Sequence, residues 1–246
     1  MAIIVATGSG SGIGAASLRR LVKAGDRVLV HAKDNKAGVE AVAREMQERD
    51  AEVTTALVDL ALPGAGKALI EQAVETFGGL DTIIHAAGFP VRAQVGAAVR
   101  EDFDGAFGAI TLSLFELTST GMPYLQKSRS GRIVAVSTHN AHVFRNDYPV
   151  YPVSGAVKAA LEVFARALAI QLAPQGITVN VVAPGLIRKE HGEPFLSPKE
   201  WAEFPRVIPM GRIGEPDEVG AMIAFLASEA ASYITGQIIH VNGGLC

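Results

Sequence analysis

The chain has 246 residues, of which 49% are apolar and 19% charged, and its formal net charge is −3. That size suits one α/β domain with a sizeable core, and the slightly acidic balance argues against nucleic acid, which calls for a basic face. A single cysteine, Cys246, excludes an internal disulfide framework and a cysteine-based metal site.

No apolar run reaches the roughly 18 residues of a membrane span. The opening "MAIIVATG" has neither a basic nor a long apolar leader region, so the expected compartment is the cytoplasm. "AIIVAT" (2–7) reads as the first strand. "TGSGSGIG" (7–14) follows it and leads into a helix over 13–25. Glycines between a first strand and a first helix allow a tight turn and let a pyrophosphate rest on the helix N-terminus. A second strand spans 27–32 and a helix 35–50, then strand 52–58, helix 66–78 and strand 81–87. One long helix is read over 102–125, strand 131–137 after it, helix 154–176, strand 177–183 and a last strand at 237–241. The strands are near-continuous apolar runs, the pattern of a parallel sheet covered on both faces. The alternation predicts one doubly wound, Rossmann-type α/β domain over 1–246. Residues 186–210 read as a lid, with Phe195, Trp201 and Phe204 as its apolar contacts or its own packing.

Thr7, Gly8, Gly12 and Gly14 fit T-G-x(3)-G-x-G, which resembles the cofactor motif of classical short-chain dehydrogenases/reductases. The resemblance runs nearly end to end, through "VDL" (58–60), "HAAG" (85–88), "GRIVAVST" (131–138), "GITVNVVAPG" (176–185) and "GRIGEPDEV" to "YITGQIIHVNGG". It implies a nicotinamide dinucleotide held by Thr7, Gly8, Ser11, Gly12, Ile13 and Gly14 in the first turn. Asp59, Ala87, Gly88, Pro184 and Gly185 stand at further contacts. At the end of the second strand an acidic residue would bind the ribose hydroxyls and repel a 2′-phosphate. Ala32 stands there, followed by Lys33, so NADP(H) is favoured over NAD(H). Ser11, where NADP-preferring relatives often carry a basic residue, adds nothing to that preference.

The family's chemistry, carried over by resemblance, uses Asn, Ser, Tyr and Lys. A phenol works near neutral pH only beside a positive charge. Lys158 matches the lysine, which also holds the nicotinamide ribose, and Thr138 matches the serine that orients substrate. Ser137, beside it, points to the other face by strand alternation. Ile110 falls at the asparagine, His85 replaces the first Asn of the family's Asn-Asn-Ala-Gly, and Arg188 stands where relatives often have Thr. "YPVSGAVK" (151–158) departs most. Ser154 occupies the tyrosine slot four residues before Lys158, whereas Tyr151 lies seven before it and thirteen after Thr138. Residues seven apart on a helix share a face but stand about 10 Å apart along the axis. Pro152 suits the first helical position and would put Tyr151 at the N-cap. Tyr151 is read as a displaced acid. Ser154 and Tyr148 are alternatives, as is a site with no acid.

The expected function is an NAD(P)(H)-dependent oxidoreductase for a small carbonyl or alcohol. The alternative is a nucleotide-binding member without hydride transfer, in sensing or assembly. A lyase- or dehalogenase-like activity is disfavoured by the intact phosphate loop. No metal and no membrane partner are expected. The family resemblance, with the apolar surface of "LEVFARALAIQLA" (161–173), implies a homotetramer or dimer.

Overall fold

The apolar, β-branched runs form a seven-stranded parallel sheet in the computed structural model, which describes residues 1–148, 150–189 and 203–245. The strands are β1 (Ile3–Thr7), β2 (Arg27–Ala32), β3 (Glu52–Leu57), β4 (Thr82–His85), β5 (Arg132–Val136), β6 (Thr178–Pro184) and β7 (Ile238–Val241). They lie in the order 3-2-1-4-5-6-7. The chain reverses direction across the sheet between β1 and β4, and such a switch point opens a crevice at the carboxyl ends of the strands.

Helices cover both faces. α1 (Gly12–Leu21), α2 (Lys36–Gln47) and α7 (Pro216–Leu226) bury Leu18, Val42 and Ile223 against Ile4, Val30 and Ile84. α3 (Ala65–Phe77), α4 (Arg100–Phe107), α5 (Ser113–Leu125) and α6 (Pro152–Leu172) bury Ile70, Leu114 and Leu161 against Val5, Leu29 and Ile83. Ile83 and Ile84 thus serve opposite layers, as the two-residue period of a strand demands. A smaller cluster joins Val143, Tyr148, Leu186, Phe204 and Leu245 beside the carboxyl ends.

Three expectations need correction. The long helix is not continuous: it starts at Arg100 and is interrupted by a π-helical turn over Gly108–Leu112. The strands are not all buried on both faces, because β3 and β7 are the sheet edges and each leaves residues exposed. α7 is absent from the sequence reading, although Pro216 at its first turn and the Glu218 carboxylate, which accepts from Glu215 N, mark its start. Of the expected lid, Phe195 and Trp201 lie outside the described residues, and Phe204 is buried in the smaller cluster. No helix among the described residues is long and apolar enough to cross a membrane.

Ile70 and Ile223 are fully buried in different layers. Ile70→Val and Ile223→Val are each expected to cost about 0.5–1.5 kcal/mol. The double variant should cost their sum within about 0.5 kcal/mol, since the two share no partners. Urea unfolding of the four proteins measures this, and a larger mismatch would mean that the sheet transmits strain between its faces.

Candidate active site

A cavity of about 410 Å³ opens where the carboxyl ends of β1, β4, β5 and β6 meet. The glycine turn forms one end. Gly8 has φ +62°, and a Cβ there would stand 2.6 Å from Ala87 Cα, while one on Gly14 would stand 2.3 Å from the Gly8 carbonyl oxygen. Only glycine permits this fold-back of α1 onto β1 and β4. Ser11 is the N-cap of α1, and its side chain makes no capping bond. The turn is tied to β2 by Ser9, whose hydroxyl donates to Ala6 O and accepts from His31 N. The His31 ring adds a second tie: Nδ1 accepts from Gly8 N and Nε2 donates to Val58 O. Burial lowers the His31 pKa, which keeps Nδ1 an acceptor.

Behind the cavity wall runs a chain of hydrogen bonds. Ala87 N donates to Thr7 Oγ1 (3.3 Å), which donates to His85 Nδ1 (2.8 Å), while His85 Nε2 donates to Ile110 O (2.8 Å). Burial, aided by the charge of Lys158, pushes the His85 imidazole down to about 3, so the ring stays neutral with its proton on Nε2. Thr7 is fully buried in this chain of bonds, and Ala87 is half-buried beside the cavity. His85 supports the sheet, and the carbonyl it binds belongs to the π-helical turn. Ile110 presents its side chain to the cavity.

Lys158, Thr138, Tyr151, Ser154 and Tyr148 line the same cavity, with Pro184 and Gly185 opposite the glycine turn. Lys158 is buried, its Nζ donating to Val136 O. Burial pulls its ammonium down to about 8, opposed by Glu162. Thr138 Oγ1 accepts weakly from Asn140 N and Nδ2, leaving its own proton to donate. Ser137, one residue back, also borders the cavity, and its hydroxyl donates to Glu162.

Tyr151 is the N-cap of α6 in extended backbone, with Pro152 at the first helical position. Ser154, one turn in, is buried, and both its capacities are used: Oγ accepts from Val91 N (2.8 Å) and donates to Val91 O (3.2 Å). It latches the loop after β4 onto α6. Tyr148 packs edge-on against His139, with centroids 5.1 Å apart, and against Phe204. Burial, with a smaller contribution from Tyr151, raises its pKa, the wrong direction for a proton donor near neutrality.

Lys33 and Asp59 lie outside the cavity and pair with each other, Nζ to Oδ2 at 2.7 Å. Arg188 reaches the rim and pairs with Glu215. His139 and Asn140 belong to the cavity wall and escaped the sequence reading. His139 Nδ1 donates to Pro184 O, and burial holds the ring down at about 4. Their only sequence signal is their place directly after Thr138.

A family model described as enoyl-(acyl carrier protein) reductase matches residues 8–246. The chain is 32% identical to versicolorin reductase stcU from Emericella nidulans, over 98% of this chain and 94% of that protein. It is likewise 32% identical to the 3-oxoacyl-[acyl-carrier-protein] reductase FabG of Aggregatibacter actinomycetemcomitans, over 99% and 98%. The crystal structure of a Sinorhizobium meliloti 1021 protein assigned as a short-chain alcohol dehydrogenase superposes with a TM-score of 0.89. The two sequences are 27% identical, with 98% of this chain and 95% of that one covered.

His85 and His139 are both neutral in the fold, with pKa values below that of an unfolded histidine. The unfolded chain takes up protons below about pH 6.5 that the folded chain refuses. Stability is thus fully present above that pH and falls as the pH drops toward 4, by about 1.4 kcal/mol per pH unit for each histidine. Urea unfolding at pH 7, 6 and 5 should show this loss, and His85→Gln should flatten it while lowering stability at pH 7. A wild-type stability constant from pH 7 to 5 would contradict the assigned neutral rings.

Proposed function

The chain belongs to the short-chain dehydrogenase/reductase family of oxidoreductases, and we propose that it interconverts a small carbonyl and its alcohol, with Tyr151 as the proton donor. The observation that carries this reading is the engagement of Ser154. Its proton is committed to Val91 O and one of its two lone pairs accepts from Val91 N, so a serine in the family's tyrosine slot has no proton free for a substrate. Tyr151 lines the same cavity as Lys158 and Thr138, and its N-cap position frees its backbone from helical geometry.

NAD(P)H, the cofactor class of the family, supplies the hydride. The residues present fit such a group: a glycine turn with no Cβ in the way, a Ser11 N-cap whose own side chain makes no capping bond, and a continuous cavity from Ser11 and Ile13 to Lys158. Gly8, Gly12 and Gly14 would cradle the pyrophosphate, Gly88 and Lys158 the nicotinamide ribose, and Pro184 and Gly185 the nicotinamide side. Thr138 donates its free proton to the substrate oxygen and orients it. The Tyr151 phenol donates to the same oxygen and surrenders its proton as alkoxide charge develops. The Lys158 ammonium lowers the cost of the phenolate left behind. In the reverse direction the phenolate takes the proton from the alcohol. Ile110 offers no hydrogen bond to a relay water, so proton resupply follows another route.

NADP(H) is the favoured cofactor, because Ala32 leaves room for a 2′-phosphate and Lys33 brings charge. In the Lys33–Asp59 pair the lysine is exposed and the aspartate half-buried, and pairs this near the surface open readily. A homotetramer or dimer, with residues 1–246 of each chain as one domain, is supported by exposed apolar side chains on α5 and α6, among them Phe115, Val163 and Ile170.

Tyr151→Phe is expected to lower kcat about 10²–10⁴-fold on any carbonyl substrate found. Ser154→Ala should lower stability by about 1–3 kcal/mol, since Val91 loses two bonds, yet spare most of kcat. The reverse pattern would reassign the acid to Ser154, and binding without turnover in the wild type would favour a nucleotide-binding role. In fluorescence titrations, Lys33→Ala should weaken NADPH by about fivefold or more and leave NADH nearly unchanged. Equal loss for both would remove Lys33 from the phosphate site.

A further inference from the structure

Glu162 stands one helical turn after Lys158 in α6 and is 5% exposed. A carboxylate so enclosed is costly unless it is paired and hydrogen-bonded. Ser137 donates its hydroxyl to Oε1, and His142 donates Nε2–H to the same oxygen over 2.9 Å. The His142 ring meets His240 edge-on, with centroids 4.6 Å apart, which carries the cluster from the middle of α6 to the surface.

None of these partners is a fixed positive charge. The fixed charge nearby is Lys158, because residues four apart share a helix face. Its Nζ is anchored to Val136 O, next in β5 to the Ser137 that holds Glu162. The other groups around Lys158 cannot balance it. His85, from β4, is neutral. Tyr148 and Tyr151 line the same cavity, β5 contributes the Val136 carbonyl, and Thr138 just beyond it contributes a hydroxyl.

We propose that Glu162 is the counter-ion that keeps the Lys158 ammonium charged, and so a positioning residue that acts on the reaction through the lysine. Burial alone drives that ammonium toward neutrality, and Glu162 is the group that opposes it. The Ser137 and His142 hydrogen bonds hold the carboxylate in place, one turn from the lysine. This inference rests on the role proposed for Lys158, but its test does not need turnover.

The full chain, labelled with ¹³Cε-lysine, is titrated by NMR, and the Lys158 resonance is assigned by its loss in Lys158→Met. Glu162→Gln is expected to lower the Lys158 midpoint by about one pH unit, and Glu162→Asp to hold it within a few tenths of a unit. An unchanged midpoint in Glu162→Gln overturns the proposal. A second measurement needs no variant at this position: the Glu162 ¹³Cδ resonance of the wild type should move as Lys158 loses its proton, and a flat response there also overturns it. With a substrate in hand, the alkaline limb of kcat/KM should move down with the Lys158 midpoint. A coupled Lys158–Glu162 titration in a chain that turns over no carbonyl would sink the enzymatic reading and leave this one standing.

Discussion

The cleft depends on a neutral imidazole. His85 sits at the carboxyl end of β4, and each of its nitrogens holds a different part of the molecule. Through Nδ1 it fixes Thr7, and through Thr7 the backbone after β4. Through Nε2 it takes the carbonyl that the π-helical turn exposes at Ile110. A protonated ring would have two donors and no acceptor, and the Thr7 hydroxyl proton would lose the nitrogen that accepts it. Burial enforces the neutral form. The glycine turn, the loop over the cavity and the bend between α4 and α5 are thus held in register by one side chain that touches no ligand.

The parallel sheet was legible because strands buried on both faces leave long apolar runs. The glycine turn was legible because its spacing has few other uses between a strand and a helix. The edges were not, because β3 and β7 carry sequences nearly as apolar as the central strands, and only the strand order says which lie outermost. The π-helical turn was hidden because its residues continue the apolar periodicity of the helix on either side. α7 was hidden because its start lies inside the stretch "GRIGEPDEV", whose Pro216 and Glu218 also serve the helix N-terminus.

Within the cleft, the residues read from the sequence converge at Lys158, Thr138 and Tyr151. What the sequence could not display was pairing over distance. Lys33 and Asp59 were each read as cofactor contacts, and 26 positions of chain conceal that they meet. The latch between Ser154 and Val91 spans 63 positions. Both pairings change the chemistry of their members: one tempers a charge, the other occupies a hydroxyl. Glu162 was invisible for a further reason. On a helix with several apolar faces, one carboxylate reads as a solvent-facing residue until packing encloses it.

The N-cap position of Tyr151 has a mechanical consequence. Lys158 belongs to the rigid body of α6 and is anchored to the central sheet at Val136. Tyr151 precedes that body, as its N-cap in extended backbone. In the proposed chemistry, the acid and the charge that activates it are mounted on separate supports. Substitutions or length changes in the segment that leads into Tyr151, far from any ligand, would retune proton transfer and leave dinucleotide affinity alone. Relatives that carry the tyrosine four residues before the lysine have both groups on one helix and lack this freedom. In the chemistry proposed for this chain the acid would be adjustable, and the rate of the site would answer to the conformation of a loop.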